Sequence, residues 1–94
     1  MNSLIPSVWV ALGRAEEYNK QYESALLAYL MALELNSEDL NPLLDCLRCL
    51  KQLKRLDEAN LLIDKALEYL KQHPELEEYK NQILLQKSKL AGSL

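Results

Sequence analysis

Two cysteines, Cys46 and Cys49, stand three residues apart in the stretch LLDCLRCLKQL at residues 43–53. A Cys-x-x-Cys can serve as a redox couple or as half of a structural zinc site. The redox use needs a thiol whose pKa is lowered by a helix N-terminus, usually beside a strand. The zinc use needs four ligands, and the one further soft candidate is His73. Pro42 lies four residues before Cys46, so both thiols are expected inside regular helix, where small apolar packing is the expected role. His73, followed by Pro74, reads as a corner between helices. No Ser/His/Asp or Cys/His constellation can be assembled around it. Two glycines in the whole chain leave no phosphate-cradling loop. The carboxylates fall on solvated helix faces, in pairs such as Glu16–Lys20 at i,i+4. The expectation is therefore a protein with no catalytic residues, no metal and no cofactor.

The elements that carry these residues are helical. Ninety-four residues make one small domain, taken as residues 1–94, with 49% apolar and 27% charged side chains, a balance that suits a folded chain over a disordered one. Phe is absent, and Leu, Ala, Glu and Lys, all strong helix formers, dominate. An all-α fold follows. Residues 1–39 hold two basic and six acidic side chains, residues 40–73 six and five, and residues 74–94 three and three. Without a basic block, nucleic acid is not an expected partner. The opening MNSLIPSVWVALG lacks a positive leading segment and is broken by Pro6, which argues against a signal peptide. No apolar run is long enough to span a membrane, so membrane insertion is not expected either. A cytoplasmic, reducing location with free thiols is the resulting expectation.

A 34-residue echo organises the chain. Aligning residues 6–39 with 40–73 places Ala25 on Ala59, Ala32 on Ala66, Leu33 on Leu67 and Glu34 on Glu68. Tyr29 falls on Ile63, Trp9 on Leu43, Leu12 on Cys46 and Arg14 on Arg48. Small residues meet small ones and bulky apolar ones meet their like. Each copy reads as two helices: α1 at 6–19 and α2 at 22–36, then α3 at 42–53, capped by Asn41, and α4 at 56–72. A last helix, α5 at 74–90, carries Glu75, Glu77 and Glu78 at its start and Lys87 and Lys89 at its end, matching the helix dipole. Leu76, Tyr79, Ile83 and Leu90 form its apolar face.

The stretch WVALGRAEEYNKQYESALLAYLMALELNSED resembles a tetratricopeptide repeat (TPR), through Trp9, Leu12 and Gly13 of its opening, the small residues Ala25 and Ala32, and the aromatic Tyr29. The second copy is similar with Leu47 in the glycine column and Leu43 in the tryptophan column. The resemblance implies a short right-handed solenoid of two helix-turn-helix repeats, at 6–39 and 40–73, closed by a capping helix at 74–90. It further implies that α1 and α3 line a concave groove that binds another protein. The groove residues it indicates are Val10, Arg14, Glu17, Leu44, Arg48 and Lys51, two apolar anchors among three cations and one anion. A peptide or helix segment with alternate apolar side chains and an acidic residue suits that set. The alternative is that the two arginines only solvate a face, or pair with Glu17 and Asp45. The carboxylate clamp found in some heat-shock-binding TPR domains is missing, because Val10 and Arg14 stand where its residues would be.

Two further readings remain open. Helix α2, with ALLAYLMALEL at residues 25–35, is apolar almost all round, and the stack accounts for Ala25, Tyr29, Ala32 and Leu33 but not for Leu27, Leu30 and Met31. These three are expected to cover a partner or a second copy of the chain, as homodimer or heteromeric complex, unless residues 1–5 fold over them. The long fourth helix, late proline and trailing helix look like the C-terminal part of the TPR chaperones that guard translocator proteins in bacterial type III secretion.

Overall fold

A computed structural model describes residues 5–92 of the chain. Five α-helices, Pro6–Tyr18 (α1), Tyr22–Leu35 (α2), Asn41–Gln52 (α3), Leu56–Gln72 (α4) and Lys80–Gly92 (α5), are joined by short connections, and no strand occurs among the described residues. They form two compact units, the first ending at Lys54 and the second beginning at Arg55. That boundary falls between the two helices expected to pair as the second repeat.

In the first unit α2 packs against both α1 and α3. Gly13 is the reason that α1 and α2 approach so closely. A methyl group placed on it would stand 2.7 Å from Cε1 of Tyr29 and 2.9 Å from the neighbouring ring carbons. Tyr29 is fully buried, and its hydroxyl is tied to Glu17, so the ring has little freedom to withdraw. Gly13→Ala is therefore expected to destabilise the unit by about 1–3 kcal/mol, as overpacking does, although alanine is the better helix former. Urea unfolding followed by the fluorescence of Trp9, one turn away, measures this; an unchanged midpoint would show that the ring moves freely.

Each helical residue is turned about 100° from the last, so the face that meets α2 leaves another face of α1 open. Leu12 lies on that open face and is 45% exposed, whereas its counterpart Cys46 is completely buried. The expected equivalence of these two positions as core sites thus fails, because α3 is buried around much more of its circumference than α1. Leu43, Cys46, Leu47 and Leu50 are all buried on α3.

Asn41 is not the cap of α3. It is the first helical residue, and its backbone N–H and side-chain Nδ2 both donate to Oδ1 of Asp39, at 3.0 and 2.9 Å. Asp39 is the better acceptor for this turn because a carboxylate offers only acceptor oxygens.

Both sharp turns after α1 and α3 use a lysine in the left-handed region, Lys20 at φ 61° and Lys54 at φ 60°, again 34 residues apart. Lys20 N–H donates to the Glu17 carbonyl and Gln21 N–H to the Glu16 carbonyl, the paired bonds of a Schellman closure. At the second turn Lys54 N–H donates to the Lys51 carbonyl in the same way. Left-handed backbone costs a side-chain-bearing residue about 1–2 kcal/mol, partly offset in glycine by its greater loss of chain entropy. Lys20→Gly and Lys54→Gly should each stabilise the protein by roughly 0.5–1 kcal/mol. Thermal melts test this, and a lower midpoint in either variant contradicts it.

The second unit is built on the buried stripe Ala59, Ile63, Ala66 and Leu70 of α4. Leu76, Ile83 and Leu90, seven residues apart, are the buried residues of the following segment. The continuous helix expected from Pro74 is instead a 3-10 segment, Pro74–Tyr79, followed by α5. Leu76 leaves helical geometry at φ −103°, ψ 17°. Pro74 can donate no backbone hydrogen bond, and the kink at Leu76 separates the turn that begins at Pro74 from the winding that leads into α5. His73 closes α4 and stacks on Tyr69, with ring centroids 4.1 Å apart.

Candidate functional site

The six groove residues expected from the sequence all lie in the first unit, on α1 and α3. Four of them, Val10, Arg14, Leu44 and Arg48, line one open cavity of about 380 Å³, together with Asp39, Asn41, Pro42 and Asp45. A second cavity of about 510 Å³ shares Val10, Arg14, Asp39 and Pro42 and extends along α1 past Ala11 to Ile5. Glu17 lines neither and acts from behind through Arg48. Lys51 lines neither and is exposed.

The two arginines of the 34-residue echo have different circumstances. Arg48 Nη2 donates to Oε1 of Glu17 and to Oδ1 of Asp45, each at 2.8 Å, and its Nε donates to Oε2 of Glu17. Glu17 Oε1 also accepts the Tyr29 hydroxyl at 2.8 Å. This chain of bonds joins α2, α1 and α3, and it turns Arg48 into a tie between helices. Arg14 has no hydrogen bond or ion pair among the described residues and stands exposed where the two cavities meet. Asp45 could be foreseen as a partner of Arg48 from its i,i+3 spacing. The alternative of pairing with Glu17 and Asp45 thus holds for Arg48 and not for Arg14, although the tie from Glu17 to Arg48 spans 31 residues and has no signal in local spacing.

The Arg48 guanidinium holds the Glu17 carboxyl below its ordinary value, against the opposing effect of burial, and the Tyr29 hydroxyl adds to the lowering. A depressed folded-state pKa means that the unfolded chain binds more protons in acid. The stabilisation is thus present above the ordinary carboxylate value near 4.5 and is lost as pH falls through the lowered one. Glu17→Gln should flatten the rise of stability with pH on the acid side of the ordinary carboxylate value, which denaturant unfolding across the acid range would record. An unchanged slope would place the acid sensitivity elsewhere. Burial in turn raises the Tyr29 hydroxyl well above its ordinary value and keeps it a donor.

Cys46 and Cys49 are free, fully buried thiols in the body of α3. Burial raises both, Cys49 to about 11 and Cys46 further. Neither is activated as a nucleophile, since the thiolate is the reactive form. Among the described residues no three His, Cys, Asp or Glu side chains stand close enough to hold a metal ion. No described helix is long and apolar enough to cross a membrane.

What the site offers is a few apolar side chains, Val10, Pro42 and Leu44, set among charged ones, with Arg14 the lining cation that has no partner among the described residues. No protein-family model matches the chain, and no curated protein or solved structure is significantly similar to it. The charged side chains that line the two cavities are two cations, Arg14 and Arg48, and two carboxylates, Asp39 and Asp45, and Arg48 is already bonded to Asp45 and to Glu17. A ligand with one carboxylate placed at Arg14 fits this set, because the other lining cation is already paired.

Proposed function

We propose that this protein is a non-catalytic interaction module of TPR type that holds an extended peptide of a partner protein along α1 and α3. Apolar side chains of the peptide rest on Val10, Pro42 and Leu44, and a single Asp or Glu beside them pairs with Arg14. The observation that carries this reading is Arg14 itself, a cation without a partner among the described residues at the junction of two cavities that share the apolar side chains of Val10 and Pro42. Arg48 contributes by fixing the two helices that form the walls. A chaperone for a type III secretion client would be this same activity with an aggregation-prone segment as the peptide.

Panning a displayed random-peptide library against the wild-type protein and Arg14→Glu tests the proposal. Peptides with one acidic residue next to a bulky apolar one should be enriched on the wild type and lost on the variant. No enrichment, or the same peptides on both, would refute it. Arg48→Glu makes a poor control here, because breaking its ties to Glu17 and Asp45 would loosen the fold itself.

A further inference from the structure

The exposed face of α2 carries Leu27, Leu30 and Met31, which are 59%, 37% and 36% exposed and spaced i, i+3 and i+4. Glu23 and Glu34 lie on the same side of the helix, before and after them, and α2 contains no lysine or arginine. It is an apolar ridge with acidic ends. In the second unit, α4, the 3-10 segment and α5 enclose an open cleft of about 340 Å³. Leu67, Leu70 and Leu84 give it an apolar lining, and Leu84 is 41% exposed. Lys71 and Lys80 stand at its rim, with Glu77 as the one acid there. Lys80 has no ion pair among the described residues, and Lys71 reaches Glu68 at 3.8 Å between two largely exposed side chains, a weak contact.

These two surfaces complement each other. We infer that the α2 ridge of one copy seats in the α4–α5 cleft of a second copy, with Leu30 and Met31 against Leu84 and with Glu34 facing Lys80. A two-fold contact of ridge against ridge would put acidic ends beside acidic ends with no cation on either helix, which opposes it. The ridge-to-cleft contact is head-to-tail, so every added copy leaves one ridge and one cleft free, and assembly continues until a ring closes. The inference is independent of the peptide site on α1 and α3.

Sedimentation velocity of the full chain over a concentration series, at low and at high salt, gives the first readout. The wild type should associate beyond a dimer, more strongly at low salt. A chain that stays monomeric up to about 1 mM, where association would be weaker than −4.1 kcal/mol, overturns the inference. Leu30→Asp breaks only the ridge and Lys80→Glu only the cleft. Both positions are exposed, and circular dichroism would verify that the variants are folded. Each alone should be monomeric, while their mixture should form a one-to-one complex that grows no further, because one intact ridge meets one intact cleft. Self-association of Lys80→Glu alone would mean that the ridge pairs with itself, and a mixture that stays monomeric would mean that the two surfaces do not meet; either result overturns the inference.

Discussion

Tyr29→Ala is expected to destabilise the first unit by about 3–5 kcal/mol, the range for removing a buried aromatic ring. Tyr29 is completely buried on α2, its ring fills the space that Gly13 leaves open on α1, and its hydroxyl donates to Glu17. Truncation therefore opens a cavity and removes one of the bonds that hold Glu17 against Arg48. Tyr29→Phe separates the two contributions. It keeps the ring and removes only a hydrogen bond to a charged acceptor, for an expected loss of about 1.5–3 kcal/mol. With total stabilities of small domains at about 5–15 kcal/mol, the alanine variant should lose a large part of its folded population at moderate urea. Urea titration followed by Trp9 fluorescence and circular dichroism reads both. Equal losses in the two variants would show that the hydroxyl bond carries the site and the ring packing does not.

The second large effect is expected at the same column of the repeat, 34 residues on. Ile63 is also completely buried, between Ala59 and Ala66 on the inner stripe of α4. Ile63→Ala should cost about 2–5 kcal/mol, and Ile63→Val only about 0.5–1.5 kcal/mol. The two columns differ in chemistry. Ile63 has no polar atom and its loss should not depend on pH, whereas the loss at Tyr29 should shrink in acid as Glu17 is protonated. Circular dichroism melts of the Ile63 variants at neutral and acidic pH test this. A pH-dependent penalty at Ile63 would mean that a titrating group lies closer to the second unit's core than the described ion pairs suggest.

The helices were legible because their signals are local. Composition and the spacing of Ala25, Ala32, Ala59 and Ala66 located α1 to α4 to within a residue or so at each end. The 34-residue echo also has a conformational counterpart in the left-handed turns at Lys20 and Lys54 and in the full burial of Ala25 with Ala59 and of Tyr29 with Ile63. The break at Leu76 was not legible, since a proline permits both a 3-10 and an α-helical start. Leu12 and Cys46 share a column, yet only Cys46 is buried, because exposure depends on which neighbour covers a face and not on the residue that occupies it.

The candidate site divides in the same way. Residue order alone placed Val10, Arg14, Leu44 and Arg48 on two helices at repeating positions, and hydrophobic spacing marked Leu27, Leu30 and Met31 as surplus to the core. The sequence by itself thus determined the helices, their apolar faces and the identity of the groups available for contact, all of which arise from interactions a few residues apart. Only the tertiary structure decided that Arg48 is committed to Glu17 and Asp45 while Arg14 finds no partner among the described residues. It also decided that Gly13 exists to admit the Tyr29 ring. Those outcomes depend on atoms brought together across 16 to 31 residues of chain, and no local preference of either partner carries that information.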